Sequence, residues 1–208
     1  MKLKTRPSPS SSRDQVHAEN SGQQYFSDLH DCFSKIEVRR ENSQTVDFDE
    51  ALQEAINFVL KTKATGGKVI LIGNGGSAAI ASHQAVDLWK NGGIPAIAFN
   101  DSSLLTCISN DYGYEHVFEK PIEMFAGSSD VLIAISSSGR SQNILRAVDT
   151  ARSKNCTVIT LSGFKADNPL QKKGRLNFYV PSESYGFVEL SHLAICHFMA
   201  DWICAQKR

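Results

Sequence analysis

The sequence has 208 residues, 41% of them apolar, and its 22 basic and 22 acidic side chains balance to a formal net charge of zero. A chain of this length can bury the core of one large domain. The neutral balance, with Lys and Arg scattered along the chain, gives no electrostatic basis for binding nucleic acid or an anionic membrane. We therefore expect neither partner.

The five cysteines are widely spaced and form no CxxC pair. This pattern argues against a disulfide framework or a zinc knuckle, and it favours a reducing, cytoplasmic location. The basic residues 1–13 are followed by no apolar segment, so a secretion signal is not expected. No apolar run approaches the ~20 residues that span a membrane.

The first part of the chain predicts a tail and two helices. Residues 1–21 are rich in Ser, Pro and basic side chains and predict a disordered tail. Apolar residues spaced three or four apart predict a helix over 22–40. Asp47 or Asp49 is the expected cap of a second helix, which ends at the glycine pair 66–67.

From residue 68 onward, short apolar runs alternate with helical patterns. The predicted strands are 68–73, 94–99, 130–136, 156–163 and 176–180. The predicted helices are 77–90, one that begins near Asp101, 141–153 and about 185–205. Runs that are apolar throughout suit strands buried on both faces, and the alternation predicts βαβ units. We predict a single α/β domain over 22–208: a three-layer, doubly wound, open parallel sheet of the flavodoxin type with extra N-terminal helices.

The first candidate site is the GNGGS stretch, 73–77, between a strand and a helix. Glycines allow the backbone to approach a ligand, and a helix N-terminus attracts anions. The stretch matches neither GxGxxG nor the P-loop pattern, and no acidic residue ends the next strand to hold a ribose. We therefore predict no nucleotide cofactor. A glycine turn that serves packing alone remains an equal alternative.

A second candidate site follows the strand 130–136. The loop is Ser136-Ser137-Ser138-Gly139-Arg140-Ser141, which offers four hydroxyls and a glycine directly before a helix. Open α/β sheets place ligands at the carboxyl ends of parallel strands. Phosphate binding is therefore favoured over a solvated loop.

Histidines and carboxylates recur at helical spacing in two places. His83 and Asp87 are four residues apart on one helix and share a face, which suits two metal ligands, an acid–base pair or a surface ion pair. The last helix carries Glu189, His192 and His197. The helical wheel places Glu189 on a broad face with either histidine, so it does not choose between them.

Four motifs in this order resemble the SIS (sugar isomerase) domain family, and within it the phosphoheptose isomerases. They are GNGGS-x5-H-x3-D, FNDSS to NDYGYE over 99–115, ISSSGRS over 135–141, and E-x7-H in the last helix. The resemblance covers roughly residues 45–205. It implies an enzyme that converts sedoheptulose 7-phosphate to D-glycero-D-manno-heptose 7-phosphate. It also implies a homotetramer with sites between subunits.

The resemblance also implies roles for individual residues. The substrate-binding residues would be Asn74, Gly75, Gly76, Ser77, Asp101, Ser136, Ser137, Ser138 and Ser141, with the serines on the phosphate and Asn74 and Asp101 on sugar hydroxyls. Asp87 and His197 match the catalytic acid and histidine of the family. The positions that bind zinc in some members are His83, Asp87, Glu189 and His197.

Three positions depart from the family. Asp87 stands in place of a glutamate, Glu189 in place of a glutamine, and Asn91 in place of a frequent arginine. Two histidines and two carboxylates form a donor set for a divalent metal such as Zn²⁺, and the added carboxylate would strengthen metal binding. We therefore predict a divalent metal cofactor.

The implied reaction moves a proton between neighbouring carbons through an enediol, which requires a base, an acid and a group that holds negative charge. Asp87 or Glu189 is the expected base and His197 the expected proton partner. Two alternatives remain open. One is a non-catalytic regulator or sensor that binds a phosphosugar and a protein partner, and the other is an isomerase of a different phosphosugar.

Overall fold

The computed structural model describes residues 21–206, which form seven α-helices and seven strands. The helices are α1 (Gly22–Phe33), α2 (Phe48–Ala64), α3 (Gly76–Val86), α4 (Ser102–Tyr112), α5 (Glu119–Phe125), α6 (Gln142–Ser153) and α7 (Tyr185–Ala205). The strands are β1 (Glu37–Arg39), β2 (Thr45–Val46), β3 (Val69–Gly73), β4 (Ala96–Ala98), β5 (Val131–Ser136), β6 (Thr157–Gly163) and β7 (Leu176–Val180). The predicted tail lies outside the described residues, except for Ser21, which caps α1.

The strands form one sheet in the order β2-β1-β7-β6-β5-β3-β4. The pairs from β4 to β7 are parallel, whereas β1 runs antiparallel to β7 and β2. Strand order reverses at β3, which has β4 on one side and β5 on the other. This confirms the predicted doubly wound sheet and adds a short antiparallel extension that the sequence analysis did not predict.

The parallel strands β3, β5, β6 and β7 are buried on both faces, as their apolar runs predict, whereas β4 at the edge of the sheet is not, since its Ile97 is exposed. Along β3, Val69 and Leu71 join a core cluster that includes α2, α3 and α7, whereas Ile70 and Ile72 join a cluster on the other face that includes α5 and α6. All four side chains are fully buried. Burial of each contributes about 1.5–3 kcal/mol, so a polar residue at any of them would destabilise the sheet.

The predicted helix over 22–40 is too long. Helix α1 ends at Phe33, and residues 37–39 form strand β1, where Val38 pairs with Phe178 of β7 and is buried. The pairing partner is distant in the chain, so helical spacing alone does not reveal it. Helix α5 was not predicted at all, and the predicted helix 77–90 changes at Asp87 into a π-helical turn that ends at Asn91.

Helix α7 has the predicted bounds of 185–205. Within the described residues it is the one helix long and apolar enough to cross a membrane, by length and composition alone, and half of it is buried inside the protein. It contacts α1, α2 and α3, as a long core helix does. The five cysteines are free in this structure.

Candidate functional site

The two predicted anion-binding loops meet at the carboxyl edge of the sheet. Strands β3 and β5 are parallel neighbours, and Gly73 at the end of β3 pairs with Ile135 near the end of β5. The loop 73–77 and the loop 136–141 therefore emerge side by side. This is the position where strand order reverses, and it is where open α/β sheets bind ligands.

The two loops enclose a small polar cavity of about 150 Å³, which we name the serine cavity. Its lining residues are Asn74, Ser77, Ile135, Ser136, Ser137, Ser138, Ser141, Tyr185 and Glu189. Eight of these nine carry a polar side-chain group. The predicted serines and Asn74 are thus brought together around one space.

Gly139 sets the shape of the serine loop. Its φ of +60° is a left-handed conformation that glycine adopts without strain. Its N–H donates to the carbonyl of Ser136 at 2.9 Å and closes the turn. The Ser136 hydroxyl then lies 3.5 Å from that of Ser141 across the loop. The turn therefore holds two hydroxyls on the same side.

Two helices begin at this cavity. Gly75 precedes α3 and Ser141 precedes α6, and neither of these two residues caps its helix with a side chain, although Asn143 accepts the N–H of Ile144 in the first turn of α6. Each helix has a positive dipole end, and N–H groups at its first turn attract anions. Hydroxyl groups and two helix N-termini are together suited to bind a phosphate group.

Asn74 is held by contacts that the sequence analysis missed. It exchanges two amide hydrogen bonds with Asn143, of 3.0 and 2.8 Å, and the Tyr114 hydroxyl donates to its Oδ1 at 2.9 Å. Asn143 is buried, and its Oδ1 also accepts the N–H of Ile144. The available signal was that Asn143 closely follows the serine loop and that Tyr114 belongs to the NDYGYE motif.

A second cavity of about 610 Å³ adjoins the first, and Asn74 and Ser141 line both. Arg146 also lines the larger cavity, and its guanidinium donates twice to the Glu119 carboxylate, at 2.9 and 3.2 Å. Burial raises the pKa of Glu119, but hydrogen bonds from Arg146 and His116 outweigh it and lower that pKa. The carboxylate therefore stays charged and fixes the arginine.

His83, Asp87 and His197 form a separate cluster, which we name the His–Asp cluster. Asp87 Oδ2 lies 3.3 Å from His83 Nε2 and 3.8 Å from His197 Nδ1. Its other oxygen, Oδ1, accepts a hydrogen bond from Asn91 Nδ2 at 3.2 Å across the π-helical turn. The carboxylate is thus held with one oxygen toward both imidazoles.

The structure distinguishes the two histidines of α7. His192 is fully buried, and its Nε2 lies 3.2 Å from the carbonyl of Ser162. Burial lowers the pKa of His192 to about 4, although the Ser162 carbonyl opposes this. His192 is therefore a neutral core residue at neutral pH, whereas His197 is accessible and adjacent to Asp87.

Two predicted site residues lie elsewhere. Glu189 lines the serine cavity and does not join the His–Asp cluster, because it precedes His197 by eight residues on α7, a rise of about 12 Å. Asp101 caps α4, where its Oδ1 accepts the N–H groups of Ser103 and Leu104. Three of the four predicted metal ligands are therefore brought together.

The serine cavity and the His–Asp cluster lie along the contact between α3 and α7. One face of α3 carries residues 76, 79 and 83 and continues to residue 87 at the start of the π-helical turn. Residues 189, 193 and 197 share a face of α7 in the same way. Gly76 is next to Glu189 at one end, and Asp87 is next to His197 at the other. We name this the α3–α7 seam.

The donor set of the His–Asp cluster suits a divalent metal. Two imidazoles and one carboxylate match the usual nitrogen and oxygen ligands of zinc. Their donor atoms lie within 4.8 Å of one another. Ligands bonded to a tetrahedral zinc at about 2.0–2.1 Å are themselves about 3.3 Å apart, close to the separation of His83 and Asp87.

The SIS domain model matches residues 24–163. The chain belongs to the SIS domain family. The match begins within α1, earlier than residue 45, and it confirms the resemblance seen in the sequence motifs. It ends at the end of β6, so it includes both loops of the serine cavity.

Several relatives are phosphoheptose isomerases. That of Helicobacter hepaticus is 38% identical over 159 residues, which are 74% of this chain and 81% of that protein. The structure of the enzyme from Neisseria gonorrhoeae has a TM-score of 0.74 at 31% identity, and covers 87% of this chain and 96% of that one. The structure from Francisella tularensis has a TM-score of 0.76 at 28% identity, and covers 94% and 99%.

Proposed function

We propose that this SIS protein is a phosphosugar aldose–ketose isomerase that converts sedoheptulose 7-phosphate to D-glycero-D-manno-heptose 7-phosphate. One observation carries the proposal: a polar cavity suited to phosphate and a His–Asp cluster suited to proton transfer lie on the same α3–α7 seam. The relatives named phosphoheptose isomerase support this choice of substrate.

The length of the seam suits a seven-carbon substrate. His83 follows Ser77 by six residues, which is about 9 Å along α3. A seven-carbon chain with bonds of about 1.5 Å, extended and bearing a terminal phosphate, spans about 10 Å. A phosphate in the serine cavity would therefore place the first two carbons near the His–Asp cluster.

The serines and the N-termini of α3 and α6 bind the phosphate, and Asn74 binds a sugar hydroxyl beside it. This binding orients the reacting carbons and lowers the entropic cost of the reaction. Asp87 takes the proton from carbon, and His197 exchanges a proton with the neighbouring oxygen, which yields the enediol and then the product. Asp87 is favoured over Glu189 as the base because it lies beside His197, the proton partner.

The same three side chains, His83, Asp87 and His197, would hold a divalent metal, with zinc the expected ion. Such an ion supplies positive charge that stabilises the oxygen atoms of the enediol. The position of Asn91 also fits, because its hydrogen bond orients Asp87 as a metal ligand requires.

We further propose that the protein is a cytoplasmic homo-oligomer, with a tetramer expected from the resemblance. Val86, Trp89, Leu190 and Phe198 are large apolar side chains on the exposed sides of α3, its π-helical turn and α7. An exposed apolar group of this kind favours an interface. A second copy placed there would border the α3–α7 seam.

The test is turnover of sedoheptulose 7-phosphate by the purified protein, with products identified by NMR. The assay is run on protein treated with a chelator and on the same protein with Zn²⁺ restored. His197→Ala should abolish turnover, whereas His30→Ala, an exposed histidine on α1, should not. Melting curves of both variants show whether the fold is intact. Binding of sugar phosphates without turnover under any metal condition would instead support a regulator or sensor.

A further inference from the structure

Among the described residues that line the serine cavity, Glu189 is the one charged side chain. The other lining groups are hydroxyls, one amide and one apolar side chain, so the charge that side chains contribute to the cavity is negative. This is opposite to the charge expected of a site for a phosphate dianion. The residue therefore needs an explanation that the proposed reaction does not provide.

The position of this carboxylate is defined by its contact with Gly76. A Cβ atom placed on Gly76 would lie 2.5 Å from the Cδ atom of Glu189 and equally close to one of its oxygens. The carboxylate thus rests on the backbone of the first residue of α3, in space that only a glycine leaves open. The N-terminus of a helix is where a negative group is stabilised.

We infer that Glu189 is an internal anion that competes with the substrate phosphate for the N-terminus of α3. A sugar phosphate then binds as the Glu189 side chain turns out of the serine cavity. This inference rests on the proposed function, because it takes the serine cavity as the phosphate site. The side chain is half-buried and the next residue, Leu190, is exposed, so solvent is close by.

Such a competitor makes the site selective. Inorganic phosphate and short phosphorylated compounds must displace the carboxylate with the energy of the phosphate contacts alone. A longer sugar phosphate adds contacts along the α3–α7 seam and at Asn74, and these offset the displacement. Specificity of this kind comes from a built-in repulsive group rather than from a further attractive one.

The test measures the binding of inorganic phosphate by titration calorimetry to the wild-type protein and to Glu189→Gln, with Glu189→Ala as a second variant. Both variants remove the competing charge, so we expect phosphate to bind about tenfold more tightly, the ratio that corresponds to about 1.4 kcal/mol for a carboxylate held at a helix N-terminus. Glu123→Gln is the control, because Glu123 is exposed on α5 and pairs with Lys120. It should leave phosphate affinity unchanged.

Melting curves and kinetics separate this role from a structural one. Without phosphate, Glu189→Gln should melt below the wild type, because α3 loses a favourable charge, and phosphate should raise its melting temperature more than that of the wild type. With sedoheptulose 7-phosphate, the variant should show a lower KM. A structural role alone would lower the melting temperature and leave both phosphate affinity and KM unchanged.

The outcomes distinguish the inference from the proposed function. Unchanged phosphate affinity in the Glu189 variants, in a protein that does turn over sedoheptulose 7-phosphate, would overturn the inference alone. Tighter phosphate binding by the variants of a protein with no turnover would uphold the inference and overturn the function. Failure of every form to bind phosphate would overturn the inference, together with the phosphate site on which it rests.

Discussion

Gly139→Ala tests whether the serine loop depends on one glycine. The residue has a φ of +60°, and an added Cβ would overlap the side chain of Asn168, lying 2.5 Å from its Cγ. Gly66→Ala is a matched control. Gly66 has a similar φ of +71°, but an added Cβ there meets nothing within 4 Å. The pair therefore separates backbone strain from the clash.

The expected losses follow from the contacts of Asn168, which is buried. A left-handed backbone costs an L-residue about 1–2 kcal/mol, and both substitutions incur this cost. Asn168 also donates to the carbonyls of Lys165 at 2.9 Å and Gly163 at 3.3 Å, and accepts the N–H of Gln171 at 3.3 Å. At about 1 kcal/mol for each bond lost, displacement of Asn168 adds about 2–3 kcal/mol. We expect about 3–5 kcal/mol for Gly139→Ala and about 1–2 kcal/mol for the control.

The assay is urea unfolding of both variants at matched protein concentration, followed by phosphate titration of the folded proteins. Gly139→Ala should also weaken phosphate binding, because the turn that aligns the Ser136 and Ser141 hydroxyls is displaced. Equal losses of stability in the two variants would refute the reasoning. That result would mean that Asn168 moves without cost and that strain alone matters.

Two further predictions concern the surroundings of the site. Asn143→Ala removes the pair of amide hydrogen bonds that orients Asn74 and leaves the hydrogen bond from Tyr114. Steady-state kinetics should then show a KM raised about tenfold, the effect of losing a hydrogen bond worth about 1.4 kcal/mol, and a smaller change in kcat. An unchanged KM would contradict that role. His192 is neutral when folded, with its pKa lowered to about 4, whereas the unfolded chain takes up a proton below about pH 6.5. This difference in pKa corresponds to about 3 kcal/mol in the free energy of unfolding, which is present above pH 6.5 and is lost as the pH falls toward 4. His192→Leu should flatten the pH dependence of the free energy of unfolding, measured with urea across that range.

Elements with strong local signals were predicted well. Strand β7 and helix α7 have the predicted bounds, 176–180 and 185–205. Between them lies a segment that begins with Pro181, which cannot donate to a sheet, and ends with Ser184 directly before the helix. Apolar runs and such breaks are properties of the local sequence, so no tertiary information is needed to place these elements.

The errors come from contacts between distant parts of the chain. Strand β1 has one buried residue, Val38, and it exists because β7 offers an edge for antiparallel pairing. Nothing in residues 37–39 alone distinguishes a strand from the end of a helix. Helix α5 has seven residues, includes Pro121 in its first turn and is held by packing rather than by its own propensity.

The candidate site also has one part that the sequence predicts and one part that depends on contacts between distant residues. The loops after β3 and β5 could be placed together from the sequence, because parallel strands align their carboxyl ends at one edge of the sheet. The rise of about 12 Å between Glu189 and His197 on α7 is also a local property. The contact of Glu189 with Gly76 could not be predicted, because it depends on how far α3 and α7 are shifted along each other, and the packing of side chains between the two helices sets that shift.

The substitution of Asp87 for the family's glutamate is best understood together with Asn91. A side chain shorter by one methylene reaches His83 and His197 here from the first residue of the π-helical turn, where the backbone departs from α-helical geometry. The Asn91 amide, at the end of the same turn, bonds to the far oxygen of the carboxylate and fixes its direction. π-Helical turns are rare and are frequent at functional sites. The two departures thus form one local unit, in which Asn91 orients the shorter acid toward both imidazoles, and this favours a retained function over decay.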